Sequence, residues 1–234
     1  MSDSTVQLEG GPTGDGLSLN ARLRAYRDES AKRRPEFTKA YDEMIARLGT
    51  LERGEVGPKV GEPLPPFRLP DEHGRLVSLD ALLEQGPVVV SFNRGHWCPY
   101  CRLDLRALAA VHDRIRGLGA QLVSIMPDGA GFTANYARSN SLPFPVLSDV
   151  DLGYALSLDL MFWVGADVQR VYEHAGIDLE RYHGSAGYFL PMAAKFIVGR
   201  DGLVKARQVD VEFRQRMEPS AIVAALEALA AERP

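Results

Sequence analysis

The stretch PVVVSFNRGHWCPYC, residues 87–101, decides the fold. Its first six residues form a continuous apolar run rich in valine, which is typical of a strand buried on both faces. A short loop follows over residues 93–97, and apolar residues then recur at helical spacing from Pro99 to about Leu118. The stretch therefore predicts a strand, a loop and a helix, with Cys98 at the N-terminus of that helix.

A cysteine at a helix N-terminus is placed for thiol chemistry. Unpaired backbone N–H groups and the helix dipole stabilise a thiolate there, so we expect a lowered pKa for Cys98. Arg94 and His96, four and two residues before it, are candidates for additional positive charge. Cys101 lies about one turn later and can close a disulfide with Cys98, while Pro99 suits the first helical position. Being N-terminal and nearer solvent, Cys98 is predicted to attack and Cys101 to resolve.

Three other interpretations of this Cys-x-x-Cys pair remain open at this point: half of a zinc site, inert core thiols, and a structural disulfide. The chain contains two cysteines in all, so no second pair completes a zinc site. The histidines elsewhere show no ligand spacing; they are His73, His112, His174 and His183. We favour redox chemistry and expect no metal and no cofactor.

The remaining sequence predicts an α/β fold with an N-terminal helical extension. Residues 1–16 are glycine-rich and indicate a flexible tail, residues 17–54 have helical periodicity, and residues 55–234 are assigned to the redox domain. We expect the extension to pack on the main domain, with a dimer contact as the alternative.

Within the redox domain, the pattern predicts a hairpin over 67–79, a strand over 120–126 and a helix over 132–139. A strand over 194–198, a hairpin return over 203–209 and a final helix from Pro219 follow. The strand–helix–strand order predicts a parallel pair with a right-handed crossover. Residues 150–190 give no clear pattern.

Composition argues against several classes of partner. The formal net charge is −4 and the isoelectric point is near 5.8, so we expect neither nucleic-acid binding nor attraction to an anionic membrane. The apolar runs are too short to span a bilayer, and the polar, glycine-rich start does not resemble a secretory signal. We therefore predict a cytoplasmic, reducing compartment.

Several stretches carry a family resemblance. They are Val60–Phe67, Gly86–Phe92, Arg94–Cys101, Leu142–Asp149 and Phe196–Gly202. Together they resemble the AhpC/TSA branch of the thioredoxin-like superfamily, which contains the peroxiredoxins. The block Arg-Gly-x-Trp-Cys-Pro-Tyr-Cys is the most specific part, and the segment FRQRMEP, residues 213–219, is similar to the tail of a peroxiredoxin-like subgroup that carries this block.

The resemblance implies a thioredoxin-like fold, a central mixed sheet flanked by helices, and reduction of hydrogen peroxide or organic hydroperoxides at Cys98. Cys98 would become a sulfenic acid, Cys101 would condense with it, and a thioredoxin-like or glutathione-type reductant would restore both thiols. A homodimer is compatible with this class. We expect Trp97 to pack beside the sulfurs and limit water, and Tyr100 to face outward toward a partner protein.

The sequence departs from the peroxiredoxin pattern near the reactive cysteine. Gly95 and Ser91 occupy the positions of the family threonine and proline, and Ala193 falls where the family arginine or a cis-proline is expected. Pro191 and Lys195 lie close by, and Lys195 is a candidate replacement cation, although a lysine at a strand end is commonly solvated.

These departures keep two alternative functions open. One is a general thiol–disulfide oxidoreductase acting on protein or low-molecular-weight disulfides, which the spacer in CPYC also suggests. The other is a redox-responsive binding protein whose partner surface involves Phe162, Trp163 and the N-terminal helices.

Overall fold

The valine-rich run forms the central strand of a mixed sheet. The structure, a computed structural model, describes residues 16–50, 56–184 and 186–231. The helices in this part of the chain are α1 Leu19–Arg33, α2 Pro35–Gly49, α3 Leu79–Gln85, α4 Pro99–Gly117, α5 Ala130–Ser139, α6 Gly153–Ser157, α7 Ala166–His174, α8 Leu179–His183 and α9 Pro219–Ala231. The strands are β1 Arg68–Pro70, β2 Leu76–Ser78, β3 Val88–Phe92, β4 Gln121–Met126, β5 Val146–Ser148, β6 Met161–Trp163, β7 Phe189–Pro191, β8 Ala194–Val198 and β9 Val204–Val209.

The main sheet has five strands in the order β5-β4-β3-β8-β9. Strand β3 pairs in parallel with β4, and β4 in parallel with β5, so the predicted strand–helix–strand unit is present. On its other side β3 pairs antiparallel with β8, which in turn pairs antiparallel with β9. The predicted α/β fold with a central mixed sheet is therefore confirmed.

Alternate side chains of the central strand enter different cores. Val88, Val90 and Phe92 join a core on one face, where α1, α2, α3 and α7 supply most of the helical residues. Val89 joins the core on the other face, with apolar residues of α5, α9 and the middle of α4. Because every residue of β3 is buried, this strand fixes the loop that follows it between two packed layers.

The N-terminal helices are part of the same packed structure. Helix α1 begins after Ser18, whose hydroxyl accepts a hydrogen bond from the Ala21 amide at 3.2 Å, and Pro35 occupies the first position of α2. Helix α1 packs on α4, and α2 packs on α7. This arrangement agrees with the predicted packing of the extension on the main domain. The alternative interpretation, a dimer contact, stays a prediction.

Other parts of the sequence interpretation have different outcomes. Most of the tail assigned to residues 1–16 and the boundary near Gly54 lie outside the described residues, so the division into domains stays a prediction.

The segment 150–190 folds into short elements from α6 to β7, and β6 and β7 form a separate two-stranded antiparallel sheet. Within it Phe162 is buried and Trp163 is 46% exposed. No helix in the described ranges has the length and apolar character needed to cross a membrane.

We predict that Leu23→Ala in α1 destabilises the whole fold. Leu23 is fully buried in the core that α1 shares with the sheet, so truncation removes apolar contacts and leaves a cavity. The expected loss is about 2–5 kcal/mol of unfolding free energy, measured by urea denaturation. Leu17→Ala is the matched control, because Leu17 is 52% exposed and its truncation should change stability by less than about 0.5 kcal/mol. Equal stability of the two variants would contradict the packing of the extension described here.

Candidate active site

Cys98 lies where the loop after β3 meets α4. It is the N-cap residue of that helix, with φ −81° and ψ 116°, and Pro99 is the first helical residue. The Cys98 carbonyl oxygen accepts a hydrogen bond from the Arg102 amide at 3.0 Å, and the Arg94 amide donates to Cys101 Sγ at 3.3 Å. The predicted placement of the Cys-x-x-Cys pair at a helix start is thus what the structure shows.

Both cysteines are free thiols and both are buried. The exposed fraction is 1% for Cys98 and 0% for Cys101. The expectation that Cys98 lies nearer to solvent than Cys101 is therefore wrong, because the two side chains are equally buried. The difference in their ionisation must come from their neighbours instead.

Those neighbours shift the two thiols in opposite directions. Burial by itself raises the pKa of Cys98, but the hydrogen bond with Cys101 and the charges of Arg94 and Arg216 outweigh it and lower the pKa to about 6. Burial, followed by the hydrogen bond and negative charge of Cys98, holds the pKa of Cys101 well above its ordinary value. The pair therefore shares one negative charge, and that charge resides on Cys98 near neutral pH.

Arg94 supplies the positive charge that the sequence predicted near the sulfur. Its side chain is fully buried, and its guanidinium donates a hydrogen bond to the Tyr172 hydroxyl. The guanidinium carbon also lies 3.7 Å from the ring centroid of Phe213, 5.4 Å from that of Tyr41 and 5.6 Å from that of Trp97. Burial opposes the charge on Arg94, yet Tyr172 and Cys98 together hold its pKa above the usual arginine value.

His96 serves a different purpose from the one expected. Its amide donates to Asp128 Oδ2 at 2.8 Å, and its ring Nδ1 lies 3.0 Å from Asp128 Oδ1. The ring stacks on Phe132 with centroids 5.1 Å apart. His96 therefore anchors the loop to Asp128, and Arg94 is the basic residue of this loop whose charge lowers the pKa of Cys98.

Gly95 is required by the shape of the same loop. Its φ is +140°, a region that side-chain-bearing residues rarely adopt. A Cβ there would lie 2.5 Å from Trp97 Nε1 and 3.1 Å from Asp128 Oδ2. The family threonine could not occupy this position without moving Trp97.

Aromatic side chains enclose the sulfurs. Trp97 is 6% exposed and packs edge-on against Tyr172 with centroids 5.1 Å apart, in line with its predicted role of limiting water. Tyr100 is 5% exposed and packs edge-on against Tyr26 of α1 at 5.1 Å and Phe213 at 5.4 Å. The prediction that Tyr100 faces outward is wrong, because α1 covers it.

The extension contributes a second ring from α2. Tyr41 packs edge-on against Phe213 with centroids 5.0 Å apart and against Tyr172 at 6.2 Å. Burial raises the pKa of Tyr41 well above its ordinary value and that of Tyr172 to about 12, so both hydroxyls stay protonated at neutral pH. The helical extension is thus a wall of the cysteine site, which the sequence did not reveal.

A buried cluster of charges lies beside Cys101. Lys195 Nζ binds both carboxylate oxygens of Asp104, at 2.7 and 2.6 Å, and Arg216 Nε lies 3.6 Å from Asp104 Oδ2. Arg216 Nη2 reaches Cys101 Sγ at 3.7 Å. The expectation of a solvated Lys195 is wrong, because this side chain is 2% exposed inside the sheet.

Sequence reasoning missed Arg216, Asp104 and Tyr172 as neighbours of the thiols. One signal was present: a lysine inside the apolar strand AKFIV needs a buried counter-charge. Ala193 supplies no cation and is buried at 5% exposure, so the positive charge of this site comes from Arg94 and from Arg216 on the segment before α9. Within the described ranges, no group of three or more histidine, cysteine, aspartate or glutamate side chains is arranged to hold a metal ion.

We predict that alkylation of the reduced protein by iodoacetamide follows an acidic midpoint. Since the pKa of Cys98 is lowered to about 6 and that of Cys101 is raised, Cys98 should be labelled first, with a midpoint near pH 6. Peptide mass spectrometry after short pulses from pH 4.5 to 9 gives the midpoint for each cysteine. Cys98→Ser is the control, in which the acidic phase disappears; a midpoint for Cys98 near the ordinary thiol value of about 8.5 would contradict the assignment.

Part of the chain is similar to curated peroxiredoxins. The chain is 34% identical over 101 residues to chloroplastic peroxiredoxin Q of Sedum lineare, covering 42% of this chain and 54% of the relative. It is 32% identical over 101 residues to chloroplastic peroxiredoxin Q of Triticum aestivum, covering 43% of each. The chain thus spans about half the length of these curated relatives.

Solved structures show the same fold at low identity. Peroxidoxin BcpB from Mycobacterium tuberculosis superposes with a TM-score of 0.57 and 21% identity over 73% of this chain and 97% of that one. Reduced Prx3 from Vibrio vulnificus gives a TM-score of 0.57 and 17% identity over 72% and 98%. The family model described as the AhpC/TSA family matches residues 60–207, which is more than half of the chain. The chain therefore belongs to the AhpC/TSA family.

Proposed function

We propose that this protein is a thiol peroxidase that reduces hydrogen peroxide or organic hydroperoxides at Cys98, with Cys101 as the resolving thiol. The observation that carries the proposal is the placement of two adjacent buried thiols at the start of α4, with the Arg94 amide 3.3 Å and Arg216 Nη2 3.7 Å from Cys101 Sγ. The pKa of Cys98 is lowered and that of Cys101 is raised, under the charges of Arg94 and Arg216. A thiolate is the nucleophile that attacks the peroxide, and the second thiol condenses with the resulting sulfenic acid.

In the first step, the Cys98 thiolate attacks the terminal peroxide oxygen. The S–O bond forms as the O–O bond breaks, so the sulfur is oxidised to a sulfenic acid and the peroxide leaves as an alkoxide or hydroxide that takes up a proton. Arg94 and Arg216 stabilise the anion before the step, because their charges act on the sulfur in a site withheld from water.

In the second step, Cys101 attacks the sulfenic sulfur. The disulfide forms and the sulfenic oxygen leaves as water, with one proton from the Cys101 thiol. The two residues share the first turn of α4, so little backbone movement is needed. A thioredoxin-like dithiol then reduces the disulfide by exchange and is itself oxidised, in a cycle that belongs to a reducing, cytoplasmic compartment.

Burial of Cys98 favours a peroxidase over the alternative of general disulfide exchange. At an exposed fraction of 1%, a small peroxide needs a much smaller opening to reach Cys98 than a protein disulfide does. The dithiol that reduces the Cys98–Cys101 disulfide meets the same barrier, so burial bears on the oxidising step alone. The opposing observation is Gly95, which offers no hydroxyl to a bound peroxide. The two functions differ in the oxidant that reacts fast with the reduced protein.

The test is stopped-flow oxidation of the reduced Trp163→Phe protein. This change leaves Trp97, which lies in the ring cluster around Arg94, as the fluorescent reporter. We expect hydrogen peroxide or cumene hydroperoxide to change the fluorescence orders of magnitude faster than they oxidise free cysteine, with loss of about 2 Da on disulfide formation. The rate should fall below pH 6 as the Cys98 thiolate is protonated.

Two variants separate the roles of the sulfurs. Cys101→Ser should accumulate a sulfenic acid at Cys98 that dimedone traps, and Cys98→Ser should lose the fast phase. In steady state, turnover with a thioredoxin system should require both cysteines. Oxidation by peroxide at the rate of free cysteine, together with rapid reduction of a mixed disulfide, would overturn the proposal and support disulfide exchange.

A further inference from the structure

The first residues of α1 are fastened to the segment just before α9. The carboxylate of Glu218 accepts hydrogen bonds from the amides of Leu19 and Asn20, at 2.9 and 2.8 Å. Both amides belong to the first turn of α1, where they lack partners within the helix and where the helix dipole favours a negative charge. Glu218 therefore caps α1 from a position nearly 200 residues away in sequence.

The Asn20 side chain adds a two-point pairing with the backbone of Arg216. Its Nδ2 donates to the Arg216 carbonyl oxygen at 2.8 Å, and its Oδ1 accepts from the Arg216 amide at 3.0 Å. The same Nδ2 donates to Glu218 Oε1 at 2.8 Å. These bonds fix both the position and the orientation of the Arg216 backbone relative to α1.

The Arg216 side chain runs from this fixed backbone to the thiols. It is 4% exposed, and Nη1 donates to the carbonyl oxygens of Phe213 and Gln215. Nη2 lies 3.7 Å from Cys101 Sγ, and Nε lies 3.6 Å from Asp104 Oδ2. A change in the backbone position of this residue moves its guanidinium relative to the sulfurs.

We propose that Asn20 is a positioning residue of the thiol site, which acts through Arg216. By pairing with both backbone polar groups of Arg216, Asn20 holds the guanidinium against Cys101 and within electrostatic reach of Cys98. The helical extension then positions a charged group of the thiol site as well as covering it. The inference rests on the proposed function for its meaning in catalysis, but its physical content concerns thiol ionisation alone.

The consequence is a coupling between the start of α1 and the Cys98 thiolate. Without Asn20, the Arg216 backbone keeps no side-chain partner in α1, and its guanidinium gains freedom to turn toward Asp104 and away from the sulfurs. Loss of this cation from the site raises the pKa of Cys98 toward that of an ordinary thiol. The effect reaches a reactive centre that Asn20 does not touch.

The experiment measures the alkylation of Cys98 by iodoacetamide against pH in the full chain, by mass spectrometry. Asn20→Ala should raise the midpoint by about half a pH unit or more. Arg216→Gln should raise it at least as far, and the double variant should go no further than Arg216→Gln, because Asn20 acts only through that side chain. The plateau rate at high pH reports how easily the buried sulfur is reached, so loosening of α1 without repositioning of Arg216 raises the plateau and leaves the midpoint unchanged.

Asn140→Ala is the matched control. Asn140 is likewise half-buried and bonds the Tyr136 carbonyl oxygen from its Nδ2 at 2.9 Å, at the end of α5. It should leave the Cys98 midpoint unchanged. Glu218→Gln supplies a second variant, which retains the shape of the side chain but weakens the capping bonds to Leu19 and Asn20, and it should shift the midpoint in the same direction.

Two results would overturn the inference: a wild-type midpoint in both Asn20→Ala and Glu218→Gln, or shifts from Asn20→Ala and Arg216→Gln that add. Failure of the proposed function looks different. A protein that shows the midpoint shifts but consumes no peroxide at any pH retains the role of Asn20 and loses the assignment as a peroxidase.

Discussion

The cation of Arg94, withdrawn from water beside Cys98, is the constraint on which the site depends. A buried guanidinium is costly unless negative charge and hydrogen-bond acceptors surround it. In the part of the chain that the structure describes, Nε and Nη1 of Arg94 have no hydrogen-bond partner, and no carboxylate forms an ion pair with it. The Tyr172 hydroxyl, aromatic ring faces and the Cys98 thiolate are what stabilise it. Seen from the sulfur, the charge of Arg94 acts together with the Cys101 hydrogen bond and Arg216 to lower the pKa of Cys98.

The aromatic enclosure follows from this constraint. Ring faces attract a cation while excluding the water that would screen it, so the charge of Arg94 acts at full strength on the sulfur. Three of these rings come from different parts of the chain: Tyr41 from α2, Tyr172 from α7 and Phe213 from the segment before α9. The extension is therefore needed to complete the enclosure, and packing of α1 and α2 is tied to the electrostatics of the thiols.

The sequence could predict what depends on local patterns. The valine-rich strand, the helix start at Pro99 and the position of Cys98 follow from apolar periodicity and capping preferences within about 30 residues. The charged partners could not be predicted, because Asp104, Lys195 and Arg216 meet only through the register of β8 and the return of the chain before α9. The burial of Tyr100 could not be predicted either, because a helix from the extension covers this side chain. His96 and Arg94 are equal candidates in sequence, and they are separated by the contact of His96 with Asp128 and by the burial of Arg94 near Cys98.

The two departures from the family pattern have different physical origins. Gly95 is dictated by the local backbone, since a side chain there collides with Trp97, so the missing threonine is a consequence of how this loop encloses the sulfur. Ala193 provides no cation at the position where the family has one. Positive charge reaches the thiols from Arg216 instead, whose backbone is hydrogen-bonded to the extension. Under the proposed role of Asn20, a displacement of α1 also moves this cation, so the packing of the extension and the ionisation of the thiols are linked.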